Sequence, residues 1–270
     1  MLTPEQHATF EERGYVRLPA AFAREDAADM EAAVWAFLER KFGAQRDRPE
    51  TWNTGVATGL QSLKRRRVFE AIGGAATLGA FDDLLGPGRW IAPRDWGQFL
   101  ITFPAGGGGN DGNGEWSVPS RVWHTDFGFL PSGDELFGLL LFSFVSDVPP
   151  QAGGTLVVEG SHRLVKGVLR NRPSLKKIRM KQARQAILAS DPWLVALSSE
   201  NDGAAGDRVE RFVRQQHVIG DVPVRVAELT GQAGDIVVGH PWLLHAGSLC
   251  CTPQPRIMRV QRIRTRTEDA

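Results

Sequence analysis

Residues 122–129 read VWHTDFGF, a histidine and an aspartate two positions apart inside an apolar, aromatic run. An extended strand sends alternate side chains to opposite faces. On that geometry His124 and Asp126 project together while Thr125 turns away. Imidazole and carboxylate on one face make half of a chelating site. Short apolar or alternating runs recur around it: WGQFLITF at 96–103, LFGLLLFSFV at 136–145, GTLVVEG at 154–160, VPVRVAEL at 222–229, DIVVG at 235–239 and RIMRVQRIR at 256–264. Gly and Pro turns separate them. Many short strands at this spacing predict a sandwich or barrel, so the chain is expected to be mainly β with flanking helices.

The flanking helices are legible at the N-terminus. Thr3, Pro4 and Gln6 have the order of an N-cap, a first-turn proline and a capping-box partner, and Gly14 closes the helix. YVRLP then reads as a strand, and residues 24–42 carry Ala27, Met30, Val34, Phe37 and Leu38 at helical spacing up to Gly43. Two segments interrupt the β pattern. PAGGGGNDGNGE, 104–115, has no apolar anchor and lacks the GK[ST] ending of a phosphate loop, so it is expected to be a mobile loop. The stretch from about 163 to 217 is helix-permissive and rich in Lys and Arg, with no acidic residue between Arg163 and Arg184.

Length and composition bound the function. At 270 residues the chain is expected to form one domain, 1–270, with about 163–217 as a helical insertion. Lys and Arg number 32 against 31 acidic residues, a formal net charge of +1, and nothing suggests a nucleic acid partner. Cys250 and Cys251 are adjacent and build no disulfide framework, which fits a reducing, cytoplasmic setting. No secretory signal and no membrane-length apolar run is expected, and the oligomeric state is left open.

A His and an Asp need a third ligand to hold a divalent metal, and two His with one carboxylate suit Fe(II) in sites that leave coordination positions open. Of six histidines, His7 lies on the opening helix and His217 ends the insertion. His162, in EGSHR, reads as a structural hydrogen-bonding residue. His240 and His245 flank PWLL at an odd separation, so on an extended segment they face oppositely and only one reaches the metal. Spacing does not say which.

The chain resembles the Fe(II)/2-oxoglutarate-dependent oxygenases of the phytanoyl-CoA dioxygenase type. The resemblance rests on LTPEQHATFEERGYVRLPAAF at 2–22, WHTD at 123–126, AGGTLVVEGSHR at 152–163, GDIVVGHPWLLHAGS at 234–248, and an arginine eleven residues beyond the last histidine. It implies a double-stranded β-helix, a jelly-roll or cupin-like barrel, with N-terminal helices. It places the third iron ligand on His245 and the arginine that grips 2-oxoglutarate on Arg256. A guanidinium suits that role, since the far carboxylate of a dicarboxylate needs a fixed, planar, permanently charged donor. Thr252, Thr155 and Gln98 are further candidates for the co-substrate's surroundings, while Gly247 and Cys250 stand where a hydroxyl residue and an asparagine are usual. Arg259, Arg262 and Arg264 read as edge-strand cations.

The implied cofactors are Fe(II), 2-oxoglutarate and O2, and the implied reaction is hydroxylation or a related C–H oxidation of a small organic molecule. Relatives that halogenate replace the carboxylate that is present here at Asp126. Trp96, Trp123, Phe127, Phe129 and Trp242 are candidates to line a dry cavity. Two other readings stay open on the residues alone: a metal-dependent hydrolase or isomerase using the same triad, and a non-catalytic barrel that binds a small ligand.

Overall fold

The computed structural model describes residues 1–52, 59–104, 115–128, 135–199 and 205–266, so the predicted glycine loop from 105 to 114 and Phe129 lie outside the described residues. Helix α1 (Pro4–Arg13) starts on the foreseen capping box, with Thr3 and Gln6 exchanging hydrogen bonds, and ends at Gly14 in the left-handed region. Strand β1 (Tyr15–Leu18) follows, then α2 (Arg24–Phe42), which buries Ala27, Met30, Val34, Phe37 and Leu38 as its spacing predicts. A run of short turns leads to α3 (Ala75–Leu85).

The remaining strands are β2 (Gln98–Thr102), β3 (Gly138–Phe144), β4 (Leu156–Glu159), β5 (His217–Ile219), β6 (Val222–Glu228), β7 (Ile236–Gly239), β8 (His245–Ala246) and β9 (Arg256–Arg264). They form two antiparallel sheets, ordered β1-β7-β3-β9-β2 and β5-β6-β4-β8. Alternation along each strand assigns the layers. Leu140, Phe142 and Phe144 of β3 join Val237, Met258 and, from the smaller sheet, Val157 in the core shared by the two sheets. Leu139, Leu141, Val238, Ile257 and Ile263 face the other way and pack on α2 and α3. The outer face of the smaller sheet, with Leu156, Val158, Val222, Val224 and Val226, packs against Trp193, Leu194, Leu197 and Phe212 of the helical segment.

That segment lies between β4 and β5 and comprises α4 (Ser161–Asn171), α5 (Met180–Leu188), α6 (Pro192–Leu197) and α7 (Ala205–Val209), the last continuing through Glu210–Arg214. It is fastened by the buried guanidinium of Arg208. This group donates to the carbonyls of Ala196 and Leu197 at the end of α6 and to those of Val118 and Pro119, at 2.7–3.3 Å. The segment leading to His124 is thereby tied to the helices.

Three expectations change. The chain is mixed helix and sheet rather than mainly β, because both faces of the larger sheet are apolar and helices must cover the outer one. Residues 122–128 do not form a strand: only His124 among them makes a β-bridge, and Val122 sits at φ 64°, a conformation that β-branched residues enter at a cost. Arg259 is not an exposed edge cation. It is wholly buried between the rings of Phe69 and Phe99, 4.4 and 4.5 Å from their centroids, and donates to the carbonyls of Lys64 and Gly97. Among the described residues no helix is long and apolar enough to cross a membrane.

The β2–β9 pairing depends on a glycine. Gly97 has φ +96°, and a Cβ there would lie 2.0 Å from the carbonyl oxygen of Val260. Gly220, at φ +63°, has nothing within 4 Å of its hypothetical Cβ. Gly220→Ala is therefore expected to cost only the left-handed penalty of about 1–2 kcal/mol, and Gly97→Ala distinctly more. Urea denaturation of the two variants checks the order; equal losses would contradict the close approach.

Candidate active site

His124 and His245 meet as an antiparallel pair. Each backbone N–H donates to the other residue's carbonyl, at 3.0 and 2.9 Å, and β8 also pairs His245 with Val157 of β4. Residues exchanging both bonds put their side chains on the same face, and here the two imidazole centroids are 4.2 Å apart. Asp126 closes the group: its carboxylate oxygens lie 3.8 Å from His124 Nε2 and 3.8 Å from His245 Nε2. One ligand-type atom from each residue falls within 4.8 Å of the others.

The ring orientations are fixed from behind. His124 Nδ1–H donates to the carbonyl of Val122 at 2.7 Å, and His245 Nδ1–H to that of Leu243 at 3.0 Å. A neutral imidazole protonated at Nδ1 carries its lone pair on Nε2. Both lone pairs are thus available on the side of Asp126. Burial, and next the charge of His124, hold the pKa of His245 down to about 4, so its ring is neutral at ordinary pH. Two neutral imidazoles and a carboxylate are a donor set for a divalent transition metal.

The group opens into a cavity of about 550 Å3 whose walls include Gln98 and Leu100 of β2, Phe142, Thr155, Arg256 and Val260. Arg256 is buried, and burial lowers its pKa to about 10. Its guanidinium donates to Thr102 Oγ1 at 2.6 Å and to Thr155 Oγ1 at 3.4 Å, while Nε has no hydrogen-bond partner. No described carboxylate pairs with it. Nearby, Glu228 accepts from the backbone N–H groups of Gln151 and Gly154, which holds the turn before Thr155.

The structure brings His124, Asp126, His245, Arg256, Thr155 and Gln98 to one cavity. It does not bring Thr252, whose hydroxyl is committed to the turn it belongs to, donating to the carbonyl of Gln254 at 3.2 Å. Thr102 takes that place beside Arg256. It faces Arg256 across the β2–β9 ladder, a register that no spacing in the sequence discloses. Among the foreseen aromatics, Trp96 packs in the helix-covered core, Trp123 beneath the helical segment, Phe127 in the core between the sheets and Trp242 against α4 and α5. The one aromatic wall of the cavity among the described residues is Phe142.

The other two candidate histidines form a separate pair, 4.9 Å between centroids. His162 Nε2–H donates to the carbonyl of Glu11, the structural role expected of it, and His240 Nδ1 accepts from the backbone N–H of Trp242. Neither reaches the cavity that holds Asp126.

The profile of the phytanoyl-CoA dioxygenase (PhyH) family matches residues 10–258. The chain belongs to that family. Membership makes it an enzyme of the non-haem iron, 2-oxoglutarate-dependent class, with iron as cofactor and 2-oxoglutarate as co-substrate. Solved structures share the fold at low identity. The non-heme alpha ketoglutarate dependent carbocyclase SnoK from nogalamycin biosynthesis is 18% identical with a TM-score of 0.50, over 98% of this chain and 84% of that one. The epimerase SnoN from the same biosynthesis is 15% identical with a TM-score of 0.52, over 96% and 81%. The non-heme monooxygenase ThoJ, in a nickel complex, is 16% identical with a TM-score of 0.51, over 96% and 76%. No curated protein matches the chain in sequence.

Burial gives this phytanoyl-CoA dioxygenase family member a definite acid sensitivity. It lowers the pKa of His162 to about 4, that of His245 to about 4, and that of His240 well below the ordinary histidine range. In the unfolded chain these groups titrate near 6.5. Their neutral state is therefore fully compatible with folding above about pH 6.5. Between about 6.5 and 4 the unfolded chain takes up protons that the native state refuses, and each group removes up to about 1.4 kcal/mol per pH unit. The urea midpoint of metal-free protein is expected to fall between pH 7.5 and 5. His240→Asn keeps an acceptor for the Trp242 N–H and should show a shallower fall; an unchanged slope would remove His240 from the account.

Proposed function

We propose that His124 Nε2, Asp126 and His245 Nε2 hold Fe(II), and that Arg256, flanked by Thr102 and Thr155, receives the far carboxylate of 2-oxoglutarate, for the oxidation of a C–H bond in a small organic substrate, hydroxylation being the simplest outcome. One observation carries this reading: three ligand atoms from distant positions converge within 4.8 Å, with both imidazoles already set in the ligating tautomer. Bound there, Fe(II) with 2-oxoglutarate activates dioxygen, the co-substrate leaving as succinate and carbon dioxide.

The chain's own residues supply position and environment. Arg256 offers a charged, planar fork in a buried setting, where its unpaired Nε–H favours an incoming carboxylate over water. Thr102 and Thr155 hold the fork from either side. Gln98 on β2 is a further polar residue on the wall. Leu100, Phe142 and Val260 keep the space around the triad apolar. A zinc hydrolase or isomerase would have no use for Arg256, whose burial without a carboxylate partner is costly unless a ligand supplies one.

For the architecture, we read the two facing antiparallel sheets as the halves of a double-stranded β-helix, a jelly-roll or cupin-like barrel. Residues 1–270 are then one domain with the helices after β4 as its insertion. Two adjacent cysteines outside any disulfide fit a cytoplasmic setting.

Anaerobic addition of Fe(II) and 2-oxoglutarate is expected to give the weak visible charge-transfer band of the chelate, and its absence would overturn the assignment. Asp126→Ala removes a ligand outright, so its loss of Fe(II) affinity should exceed the roughly 10–100-fold typical of an outer partner, with succinate formation abolished. Arg256→Met should raise the 2-oxoglutarate dissociation constant roughly 10–100-fold, the effect of losing one charge-assisted hydrogen bond of about 1.5–3 kcal/mol, while leaving Fe(II) binding close to wild type.

A further inference from the structure

The face of β9 that carries Arg256 also carries Met258, Val260, Arg262 and Arg264, since side chains alternate along a strand. Arg262 and Arg264 both line the cavity that holds the triad. Their place along it is set by register. Val260 lies opposite Phe142 of β3, and the Phe142 ring stands 6.0 Å from that of His245. The triad therefore sits over the middle of β9, with Arg256 toward one end and Arg262 and Arg264 toward the other. Arg262 reaches the triad directly, donating from Nη1 to the backbone carbonyl of Asp126 at 3.2 Å. Arg264 is one strand period further out, roughly 7 Å along β9.

Neither guanidinium is paired with a carboxylate among the described residues, and the only acidic side chain on the described cavity wall is Asp126. The nearest acid on the segment entering β3, Glu135, is already taken by Arg89 at 2.9 Å. Charge bookkeeping on the site as assigned above then leaves a remainder. Fe(II) with Asp126 carries one net positive charge, Arg256 a second, and the two carboxylates of 2-oxoglutarate cancel both. Arg262 and Arg264, both exposed at the rim, are left without a carboxylate partner beside a space bounded by Leu100, Phe142 and Val260. A cleft with like charges and apolar walls concentrates ions of the opposite sign.

We propose that Arg262 and Arg264 form an oxyanion subsite, so that the substrate carries a carboxylate or phosphate group that these guanidiniums hold while its apolar portion reaches the metal. The inference rests on the assignment of the triad and Arg256 in the preceding section. Arg262 is the inner contact and positions the substrate relative to Asp126; Arg264 is the outer one and guides the anion in. Guanidinium forks bind both carboxylate and phosphate oxygens bidentately, so the two groups share this recognition chemistry.

The test uses protein loaded anaerobically with Fe(II) and 2-oxoglutarate, which occupies the metal and Arg256 before any probe is added. Hexanoate and n-butyl phosphate are titrated calorimetrically, each against its neutral counterpart, hexanamide and n-butanol. At least one anion is expected to bind about tenfold or more tightly than its counterpart, the scale of one charge-assisted hydrogen bond. Which anion it is separates a carboxylate from a phosphate handle. In Arg262→Gln/Arg264→Gln the preference should vanish, and in Arg264→Gln alone, where the Arg262 hydrogen bond to Asp126 is kept, it should fall while the charge-transfer band is retained. In the wild type, raising NaCl from about 0.05 to 0.5 M should weaken the anion and not the neutral probe, a reading that does not depend on the variant's folding. Equal binding of both members of each pair, no binding of either anion, or full preference in the double variant would overturn the subsite. A missing charge-transfer band in the wild type would instead overturn the metal and co-substrate assignment beneath it.

Discussion

The site exists because of two backbone hydrogen bonds. His124 and His245 are 121 residues apart, and their reciprocal N–H to carbonyl pairing sets the spacing of the two imidazoles before any metal arrives. His245 is held in turn by Val157 of β4, while His124 has no regular strand of its own and depends on what surrounds it. Trp123 is anchored in the core beneath the helical segment and its indole N–H donates to the carbonyl of Pro119, whose neighbour Val118 is gripped by Arg208. The helices after β4 therefore do more than cover a sheet. Through Arg208 and Trp123 they hold His124 in register with His245.

Much of this was legible in the sequence where a single physical rule governs. Short apolar or alternating runs between Gly and Pro turns located β3, β4, β6, β7 and β9, and the spacing of Ala27, Met30, Val34, Phe37 and Leu38 located the buried side of α2. The convergence of His124, Asp126, His245 and Arg256 followed from ordered motifs. Legibility ended where cross-chain register decides. Thr102 beats Thr252 as the partner of Arg256 because β2 pairs with β9 at that position, and local sequence carries no record of the pairing. His124 and Asp126 do share a face, but by a bent segment with Val122 at positive φ rather than by strand alternation. Trp96, Trp123, Phe127 and Trp242 enter the cores instead of the cavity wall, and at Trp123 the indole helps to hold the backbone that leads to His124.

β9 shows how one strand serves two opposite demands. Its outward residues Ile257, Arg259 and Ile263 belong to the helix-covered core, and its inward residues run from Arg256 past Met258 and Val260 to the cationic mouth. Alternation alone foretells that Arg259 faces away from Arg256. It does not foretell burial, because a charged residue on the outer face of a sheet is ordinarily solvated. Here Phe69, from the turns before α3, and Phe99, on β2, enclose it.

Arg256 and Arg259 make a natural comparison, since burial lowers the pKa of each to about 10. The environments are not equivalent. Arg259 is closed in by two aromatic faces, which attract a cation through their quadrupoles, and donates from Nη2 to two carbonyls, while its Nε and Nη1 have no hydrogen-bond acceptor. Arg256 has only two threonine hydroxyls, a weak sulfur contact at 3.9 Å to Met258, and an unpartnered Nε. Unpartnered donors do not by themselves tell the two apart; what differs is that Arg256 lines the cavity that holds His124, Asp126 and His245, whereas Arg259 is enclosed by Phe69 and Phe99. On the proposed assignment, a carboxylate bound at Arg256 offsets part of what burying this cation costs, so the affinity of the site and the cost of the unliganded protein are two views of a single electrostatic arrangement.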